Sequence, residues 1–357
     1  MSSVTILIEK YGTGHAVAAV EKGVLIDFLV DPMDPDKQSP VGSIVTARLN
    51  STQKGINGTF VTLPNHKKGF LKSTGSFPSH SIIPVYIDLL AESHKAQPVN
   101  EKIILKGRYI ILTPKKPGIN ISRQIKSEID RERLLNTLSK FERHLPENCG
   151  LIFRSQAINV KTQDLIREID QKIHDYRLIL EDDLSEPRVI IEPKKAREQA
   201  MDDWGFAQTS ALVEDVSCFD RYGVWEQVSK FLKNRVNLDN GGFLMIETTS
   251  AFNTVDINTG SDVSYAGALK TNLFAMRELP RQLEIRGLGG KIVVEFAPLS
   301  KKDRTKIESE LKKSLGKYKS KSIVVGWTKL GNLELQKKRH KIPIFDALRS
   351  DTRFDIF

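Results

Sequence analysis

The sequence is poor in cysteine and has no long apolar run. Its 357 residues include only two cysteines, Cys149 and Cys218, too few for a disulfide framework or a cysteine-rich zinc site. We expect both to be buried as small apolar side chains. No run approaches the roughly 18 apolar residues of a membrane-spanning helix. Glu9 and Lys10 interrupt the first apolar segment, where a signal peptide would stay apolar. The sequence therefore predicts a cytoplasmic protein that does not act at a membrane.

Negative charge is in deficit. The 54 lysines and arginines outnumber the 44 acidic residues, which gives a formal net charge of +10. Such an excess attracts a polyanion and makes its binding sensitive to salt. It is also typical of solvated faces that aid solubility, so charge alone leaves both interpretations open. The length predicts two to four structural units.

Two acidic residues stand out because each closes an apolar, strand-like run. Asp256 follows TV in TVDINTG, Glu295 ends KIVVE, and an amphipathic helical stretch joins the two runs. A carboxylate pair favours a hard divalent ion such as Mg²⁺, which keeps several waters. Asn258 lies two residues after Asp256, on the same side of an extended strand. In a basic chain this pattern suggests metal-dependent attack on a phosphodiester.

The rest of the chain reads as mixed α and β. We expect short strands at 3–8, 15–20 and 23–30, then a compact β-barrel between Val41 and about Gly107. Helices are expected at 127–145 and near 160–182, the second with apolar positions at Leu165, Ile169, Ile173 and Leu178/Leu180.

The last third gives sharper signals. The segments FLMIET, FNTVDI, KIVVEF and SIVVGWT predict strands, and we expect helices around VWEQVSKFLKNRV, from Tyr265 to Arg286, near 302–316 and at LGNLELQKKR. Pro280 is expected to kink the helix that contains it, and Gly289-Gly290 to end it.

Phe60 and Phe70 lie in GTFVTLPNHKKGFL, on either side of Lys67 and Lys68. Aromatic faces stack on unpaired bases while lysines hold the phosphates. Both phenylalanines could instead belong to a core, and from composition alone that alternative stays open.

Several segments together resemble the ribonuclease E/G family. GTFVTLPNHKKGFL resembles its S1 segment; residues 107–125 and 145–157 resemble its 5′ sensor; residues 241–260, 271–296 and 326–339 resemble its catalytic subdomain. The resemblance implies an α+β multidomain fold. Its expected parts are a ribonuclease H-like portion in two pieces (1–40 and, reduced, 186–240), an S1-type OB β-barrel (41–107), a 5′-sensor α/β subdomain (108–185) and a DNase I-like catalytic subdomain (241–357).

The same resemblance assigns roles residue by residue. It implies that Asp256 and Glu295 hold Mg²⁺, with Mn²⁺ as an alternative ion, and that Asn258 assists them. The product would be a 5′-phosphate and a 3′-hydroxyl, from single-stranded RNA. The residues expected to contact RNA are Phe60, Phe70, Lys68 and Lys95. Those expected to hold a 5′-monophosphate are Gly107, Ile111, Arg154, Ser155 and Lys321.

Three departures from the family's pattern matter. Glu295 stands where the family's main enzymes have aspartate, and the longer arm moves the carboxylate by roughly 1–1.5 Å, a misplacement that can cost about 100-fold in rate. The family's zinc-binding cysteine pair is missing, so we expect no structural zinc and no zinc-linked dimer, although other oligomers stay open. The segment 186–240 is much shorter than its ribonuclease H-like counterpart.

Two rival functions therefore stand beside a Mg²⁺-dependent endoribonuclease. One is a catalytically weak or inactive RNA-binding protein that acts on structured or ribosomal RNA. The other is a DNA nuclease, less favoured because the S1 resemblance points to RNA. Metal-dependent cutting and RNA-over-DNA competition separate the three.

Overall fold

The computed structural model describes residues 4–34, 38–51, 55, 57–72, 77–92, 94–139, 145–204, 209–318 and 322–354. The chain folds into two compact units. The first comprises residues 1–39, 90–94 and 211–357, and the second residues 40–89 and 95–210. The fold is of the mixed α+β kind that the sequence predicts.

The elements in the described residues follow in chain order. The strands are β1 (Val4–Tyr11), β2 (Gly14–Glu21), β3 (Val24–Val30), β4 (Ile44–Leu49), β5 (Thr59–Thr62), β6 (Lys68–Leu71), β7 (Ile82–Tyr86), β8 (Gln97–Val99), β9 (Leu105–Lys106), β10 (Ile110–Thr113), β11 (Gly118–Ile121), β12 (Gly150–Phe153), β13 (Val189–Ile191), β14 (Thr209–Glu214), β15 (Arg235–Asn237), β16 (Phe243–Thr248), β17 (Asn253–Asn258), β18 (Gly290–Glu295), β19 (Ser322–Trp327) and β20 (Leu333–Lys337). The helices are α1 (Glu128–Ser139), α2 (Thr162–Leu180), α3 (Ala196–Asp203), α4 (Cys218–Arg221), α5 (Val224–Phe231), α6 (Tyr265–Ile285), α7 (Arg304–Leu315) and α8 (Ile344–Ala347).

The first unit begins with an antiparallel meander. Strands β1, β2 and β3 pair in sequence, and β14 adds to the free side of β1. This confirms the three strands predicted at the start of the chain. The meander packs on α4 and α5, where Phe28, Phe219 and Trp225 form an aromatic core. Cys218 is buried in the same core and Cys149 is buried in the second unit, as predicted.

The second sheet of the first unit carries the acid pair. Its strand order is β15-β16-β17-β18-β20-β19, and β17 runs parallel to β18. Alternate side chains such as Leu244, Val255 and Val294 point to one face, where they pack on α6 and α7. We call the opposite face, which carries the other residues of each strand, the outer face.

The helix α6 joins the two parallel strands and has a defined start and end. Ser264 caps it, because its hydroxyl accepts a hydrogen bond from the Gly267 amide at 3.0 Å. It runs through Pro280 and ends at Ile285. The Leu288 amide donates to the Leu283 carbonyl at 3.0 Å across Gly287, which has φ +68°. The prediction that Gly289-Gly290 ends this helix is therefore wrong, because Gly287 supplies the left-handed residue.

Two other predicted helices contain strands. LGNLELQKKR holds β20, in which Leu333 and Leu335 point to the core while Glu334 and Gln336 are exposed. That period of two is the strand pattern. The helix predicted over VWEQVSKFLKNRV ends at Phe231, and its last residues belong to β15.

The second unit contains a closed ring of five strands. Strand β4 pairs with β5 and β7, β5 with β6, and β6 runs parallel to β8. The ring closes between β7 and β8, where Tyr86 and Asn100 exchange backbone hydrogen bonds of 2.8 and 2.9 Å. The compact barrel predicted after Val41 is thus present as a curled sheet, to which β13 adds beside β4.

A four-stranded sheet, β11-β12-β10-β9, completes the second unit and packs on α2. Leu165, Ile169 and Ile173 of α2 are buried, as predicted. Leu178 and Leu180 are exposed, contrary to prediction, because the helix turns Tyr176 and Ile179 toward the sheet instead.

Within the described part of the chain, none of the helices has the length and apolar character that crossing a membrane requires.

Candidate functional site

The two acidic residues meet on neighbouring strands. Asp256 of β17 lies directly opposite Glu295 of β18 in a parallel register, and neighbouring strands lie roughly 4.8 Å apart. Their neighbours Val255 and Val294 point to the core, so alternation places both carboxylates on the outer face, where they are exposed. The sheet thus brings together two residues that stand 39 positions apart in the sequence.

Asn258 extends this pair along β17. Its Nδ2 donates a hydrogen bond of 2.8 Å to Oδ2 of Asp256. The amide therefore holds one carboxylate oxygen, which fixes the direction in which Asp256 presents the other.

The loops that follow β17 and β18 are tied to each other. The Tyr265 hydroxyl, at the start of α6, donates to the Asp303 carboxylate and accepts a hydrogen bond of 3.2 Å from the Ser300 amide. The Ser300 hydroxyl also donates to Asp303, at 2.5 Å. The hydrogen bonds from Ser300 and Tyr265 lower the pKa of Asp303. These contacts hold the segment after Glu295 against the segment after Asn258.

Basic side chains follow Glu295 at the same edge. Lys302 is exposed in a short 3₁₀ turn, and Arg304 begins α7. The Arg304 guanidinium lies over the Trp327 ring, 4.7 Å from its centroid. A cation held on an aromatic face keeps its orientation.

The donor set at the acid pair suits a hard, partly hydrated ion. Two carboxylates and a neighbouring amide offer oxygen ligands, and Mg²⁺ is commonly held through one or two carboxylates plus waters. No group of three or more histidine, cysteine or acidic side chains in the described residues could hold a metal ion. The oxygen donors of Asp256 and Glu295 fit Mg²⁺.

On the barrel, Phe60 and Phe70 form a pair. They are register partners on β5 and β6, and their rings meet edge to face with centroids 5.3 Å apart. Val61 and Leu71 point into the barrel core, so Phe60 and Phe70 point outward and are half-buried. The structure thus places them on the barrel surface rather than in its core.

Positive side chains flank this aromatic pair. Lys68 is exposed on β6, on the same side as Phe70, and Arg48 lies across β5 from it, since both pair with Thr62. Lys95 is exposed just before β8, at the end of the barrel where β6 also begins. Sequence reasoning missed Arg48. The alternation of side chains along β4 would have placed it on the outer surface of the barrel.

Gly107 and Arg154 come together in the second unit. The Arg154 guanidinium donates to the Gly107 carbonyl and lies 3.6 Å from the Asp203 carboxylate. Glu168 of α2 approaches from the other side and accepts backbone hydrogen bonds from Tyr109 at 2.9 Å and Ile110 at 3.1 Å. A side chain on residue 107 would have its Cβ 1.8 Å from Glu168 Oε1. A larger residue there would force the Glu168 side chain to move.

The other predicted phosphate-pocket residues lie as follows. Ser155 is half-buried and begins a 3₁₀ turn directly after Arg154, and Ile111 is a half-buried residue of β10 paired with Ile152. Lys321 lies outside the described residues. Glu168 and Asp203 were missed by sequence reasoning, because their contacts with this cluster span about fifty residues or more of chain and no local pattern announces them.

The chain is similar to known proteins of one family over most of its length. The model of the Ribonuclease E/G family matches residues 104–217 and 207–340. Ribonuclease G of Salmonella typhimurium is 25% identical over 383 residues, which cover 90% of this chain and 77% of that protein. Ribonuclease E of Synechocystis sp. is 26% identical and that of Nostoc sp. 28%, over 91% and 93% of this chain. The chain spans 56% of the length of each ribonuclease E.

The family matches contain both pairs of residues, Asp256 with Glu295 and Gly107 with Arg154. They span well over half of the chain. The chain therefore belongs to the ribonuclease E/G family, a family of endoribonucleases.

Proposed function

We propose that the protein is a Mg²⁺-dependent endoribonuclease that cuts single-stranded RNA and leaves a 5′-phosphate and a 3′-hydroxyl. The observation that carries this proposal is the register match of Asp256 and Glu295 on adjacent parallel strands, with both carboxylates exposed on the outer face. Two carboxylates at one place on a basic protein suit an ion that bridges protein and phosphate.

Asp256 and Glu295 are the residues that would hold Mg²⁺, or Mn²⁺ in its place. When bound, such an ion polarises the phosphoryl oxygen and lowers the pKa of a coordinated water. Asn258 orients Asp256 through the 2.8 Å hydrogen bond. Its amide oxygen is then left to accept a hydrogen bond from the attacking water.

The barrel is proposed to grip the RNA. Its closed ring, in which the third strand β6 runs parallel to the fifth strand β8, supports an S1-type OB barrel at 41–107. Phe60 and Phe70 would stack on bases, while Lys68 and Lys95 hold phosphates. Stacking accepts any base, so this surface selects single strands rather than a sequence.

The remaining assignments follow the family. The cluster of Gly107, Ile111, Arg154 and Ser155, with Lys321, is proposed to bind a 5′-monophosphate, since a guanidinium offers forked donors to phosphate oxygens. Residues 108–185 would form the 5′-sensor subdomain and 241–357 a DNase I-like catalytic subdomain. Residues 1–40 and 186–240 would form the reduced ribonuclease H-like part.

The test is cleavage of a fluorescent, A/U-rich single-stranded RNA that carries a 5′-monophosphate. We expect internal cuts with Mg²⁺ or Mn²⁺, none with EDTA, and none from Asp256→Asn, which should still bind RNA. Asp239→Asn is the matched control, because Asp239 is an exposed aspartate of the same unit outside the acid pair. Equal cleavage by the two variants contradicts the proposal.

One observation favours a second function. The resemblance implies an aspartate at the position of Glu295, and the longer arm of this glutamate favours a protein that binds structured or ribosomal RNA without cutting it. Tight, metal-independent binding with no products in any condition supports that function. Preferential cutting of DNA in competition with RNA of the same sequence would identify a DNA nuclease instead.

A further inference from the structure

A single row of side chains crosses the outer face at the acid pair. Arg235 on β15 pairs with Met245 on β16, Met245 pairs with Asp256, and Asp256 pairs with Glu295. All four lie on the outer face, because their neighbours Val236, Leu244, Val255 and Val294 belong to the core on the other side. Arg235 is two strands from Asp256, and the strand spacing places their Cα atoms roughly 10 Å apart.

Arg235 is held in a fixed orientation. Its guanidinium carbon lies 3.6 Å from the centroid of the Phe243 ring, and its Nε donates to Asn237 Oδ1 at 3.1 Å. Phe243 itself pairs with Asn258 on the next strand. The aromatic ring that supports Arg235 therefore neighbours the residue that orients Asp256.

Arg235 is also available for a further contact. Arg235 is exposed to solvent, and among the residues that the structure describes it makes no ion pair with an acidic side chain. The guanidinium lies over the Phe243 ring. Nucleobases stack on arginine planes as they do on aromatic rings, and arginine adds attraction to phosphate.

A purely structural role for this stack is the simpler alternative. The Arg235–Phe243 contact does help to hold β15 at the edge of the sheet. The chain offers a comparison in Arg349, which lies over Phe345 at 5.4 Å but also pairs with Asp346 at 3.1 Å. Arg235 differs by standing in the row of the acid pair without an acidic partner in the described chain.

We propose that Arg235, supported by Phe243, stacks on the base of the nucleotide next to the scissile phosphate and so positions the RNA over Asp256 and Glu295. The inference rests on the proposed function. It assigns Arg235 a specificity role, because only an unpaired base can lie flat on the guanidinium. The substrate class at this site is a single strand with at least one unstacked base beside the cut.

The test combines protein variants with RNAs that lack one base. An abasic nucleotide is placed at each position around the cut, and kcat/KM is measured for the wild type, Arg235→Ala, Arg235→Lys and Phe243→Leu. Stacking of one base is worth about 1–3 kcal/mol, or about 5- to 150-fold in rate or affinity. We expect one abasic position to lower the wild-type rate by such a factor and to have little further effect in Arg235→Ala.

Arg235→Lys separates stacking from charge, because lysine keeps the charge without the plane. We expect it to behave like Arg235→Ala, whereas Arg349→Ala should behave like the wild type. Abasic effects that are equal in the wild type and Arg235→Ala at every position, or full activity in Arg235→Lys, overturn the inference. Thermal melts followed by far-UV circular dichroism identify any variant that fails to fold. If an Arg235 variant fails to fold, Phe243→Leu takes its place in the comparison of intact and abasic RNAs.

The affinity of the same proteins for the same RNAs is also measured, by fluorescence anisotropy in EDTA. This readout does not depend on cutting. If the wild type cuts no RNA, the proposed function fails, while an abasic effect on binding that Arg235→Ala removes still supports the stacking role.

Discussion

Asp256 and Glu295 face each other across two parallel strands with side chains of unequal length. The strands place their Cα atoms in register, but the Glu295 carboxylate stands on an arm one methylene longer. If both carboxylates hold Mg²⁺, as proposed, Glu295 would reach the ion on the longer arm. The proposed site is therefore expected to depend on the length of the glutamate arm.

Shortening or neutralising Glu295 tests this directly. We expect Glu295→Gln to raise the Mg²⁺ concentration for half-maximal cleavage by at least the roughly 10- to 100-fold that loss of an outer-shell partner costs. Glu295→Asp should lower kcat by about 10- to 100-fold, because the carboxylate retreats by about one methylene. Cleavage rates measured over a Mg²⁺ titration give both values. A rise in kcat for Glu295→Asp would show that the glutamate is a defect and would favour the RNA-binding alternative.

Removing either ring of the barrel pair should weaken RNA binding. We expect Phe60→Ala and Phe70→Ala each to cost about 1–3 kcal/mol in affinity for single-stranded RNA. The double variant should lose less than the sum, since the two rings contact each other at 5.3 Å between centroids. Fluorescence anisotropy with a labelled oligonucleotide measures the affinities. Phe345→Ala, which removes an exposed phenylalanine of the other unit, is the control and should bind like the wild type.

Lys68 should contribute charge rather than stacking. We expect Lys68→Ala to reduce the slope of log affinity against log salt concentration by about 0.7, the value for one phosphate contact on a single strand. The loss should be the same for every RNA sequence. Lys161→Ala, which removes an exposed lysine before α2, should leave the slope unchanged. Equal slopes for Lys68→Ala and the wild type would remove Lys68 from the RNA surface.

At the proposed 5′ pocket, the Asp203 carboxylate and an RNA 5′-phosphate would compete for the Arg154 guanidinium. Charge-assisted hydrogen bonds are worth about 1.5–3 kcal/mol, so Arg154→Ala should reduce the rate ratio of 5′-monophosphorylated to 5′-hydroxyl RNA at least about tenfold. Asp203→Asn should increase that ratio, because a phosphate no longer displaces a carboxylate. Arg167→Ala removes an exposed arginine of α2 and should not change it. An unchanged ratio in Arg154→Ala would place the sensor elsewhere.

The alternation of apolar and polar residues was enough to predict individual strands of the sheet. The alternation in FLMIET and KIVVEF predicted β16 and β18, and the ordered run of strand, helix and strand explains why Asp256 and Glu295 meet at one edge. β20 was misread because Lys337 occupies an inward position, where a strand pattern calls for an apolar residue. Lys337 is buried because its ammonium lies 3.3 Å from Glu284 and donates to two carbonyls of the helix end, those of Leu283 and Leu288.

Such partners lie about fifty residues away, and no window of sequence contains them. Burial lowers the pKa of Lys337, so the lysine survives inside only because Glu284 and the carbonyls compensate. Glu168 and Asp203 escaped sequence reasoning for the same reason. Contacts between residues far apart in the sequence are therefore the part of this protein that local sequence patterns do not predict.

Glu168 gives the protein a stability component that depends on pH. Burial raises the pKa of this carboxyl above its ordinary value of 4.5, although hydrogen bonds from Tyr109 and Ile110 oppose the shift. A raised pKa in the folded state means that folding binds a proton, so this contribution is fully present below pH 4.5 and is lost as the pH rises through the folded pKa. We expect Glu168→Gln, whose amide oxygen still accepts both backbone hydrogen bonds, to remove that loss. The measurement is urea unfolding between pH 4, roughly the ordinary carboxyl pKa, and pH 8, well above it. As the pH rises, the wild type should lose stability relative to Glu168→Gln. Glu132→Gln, at an exposed glutamate, is the control. Its free energy of unfolding should differ from that of the wild type by the same amount at every pH. If Glu168→Gln also shows a constant difference, Glu168 is ionised equally in the folded and unfolded states.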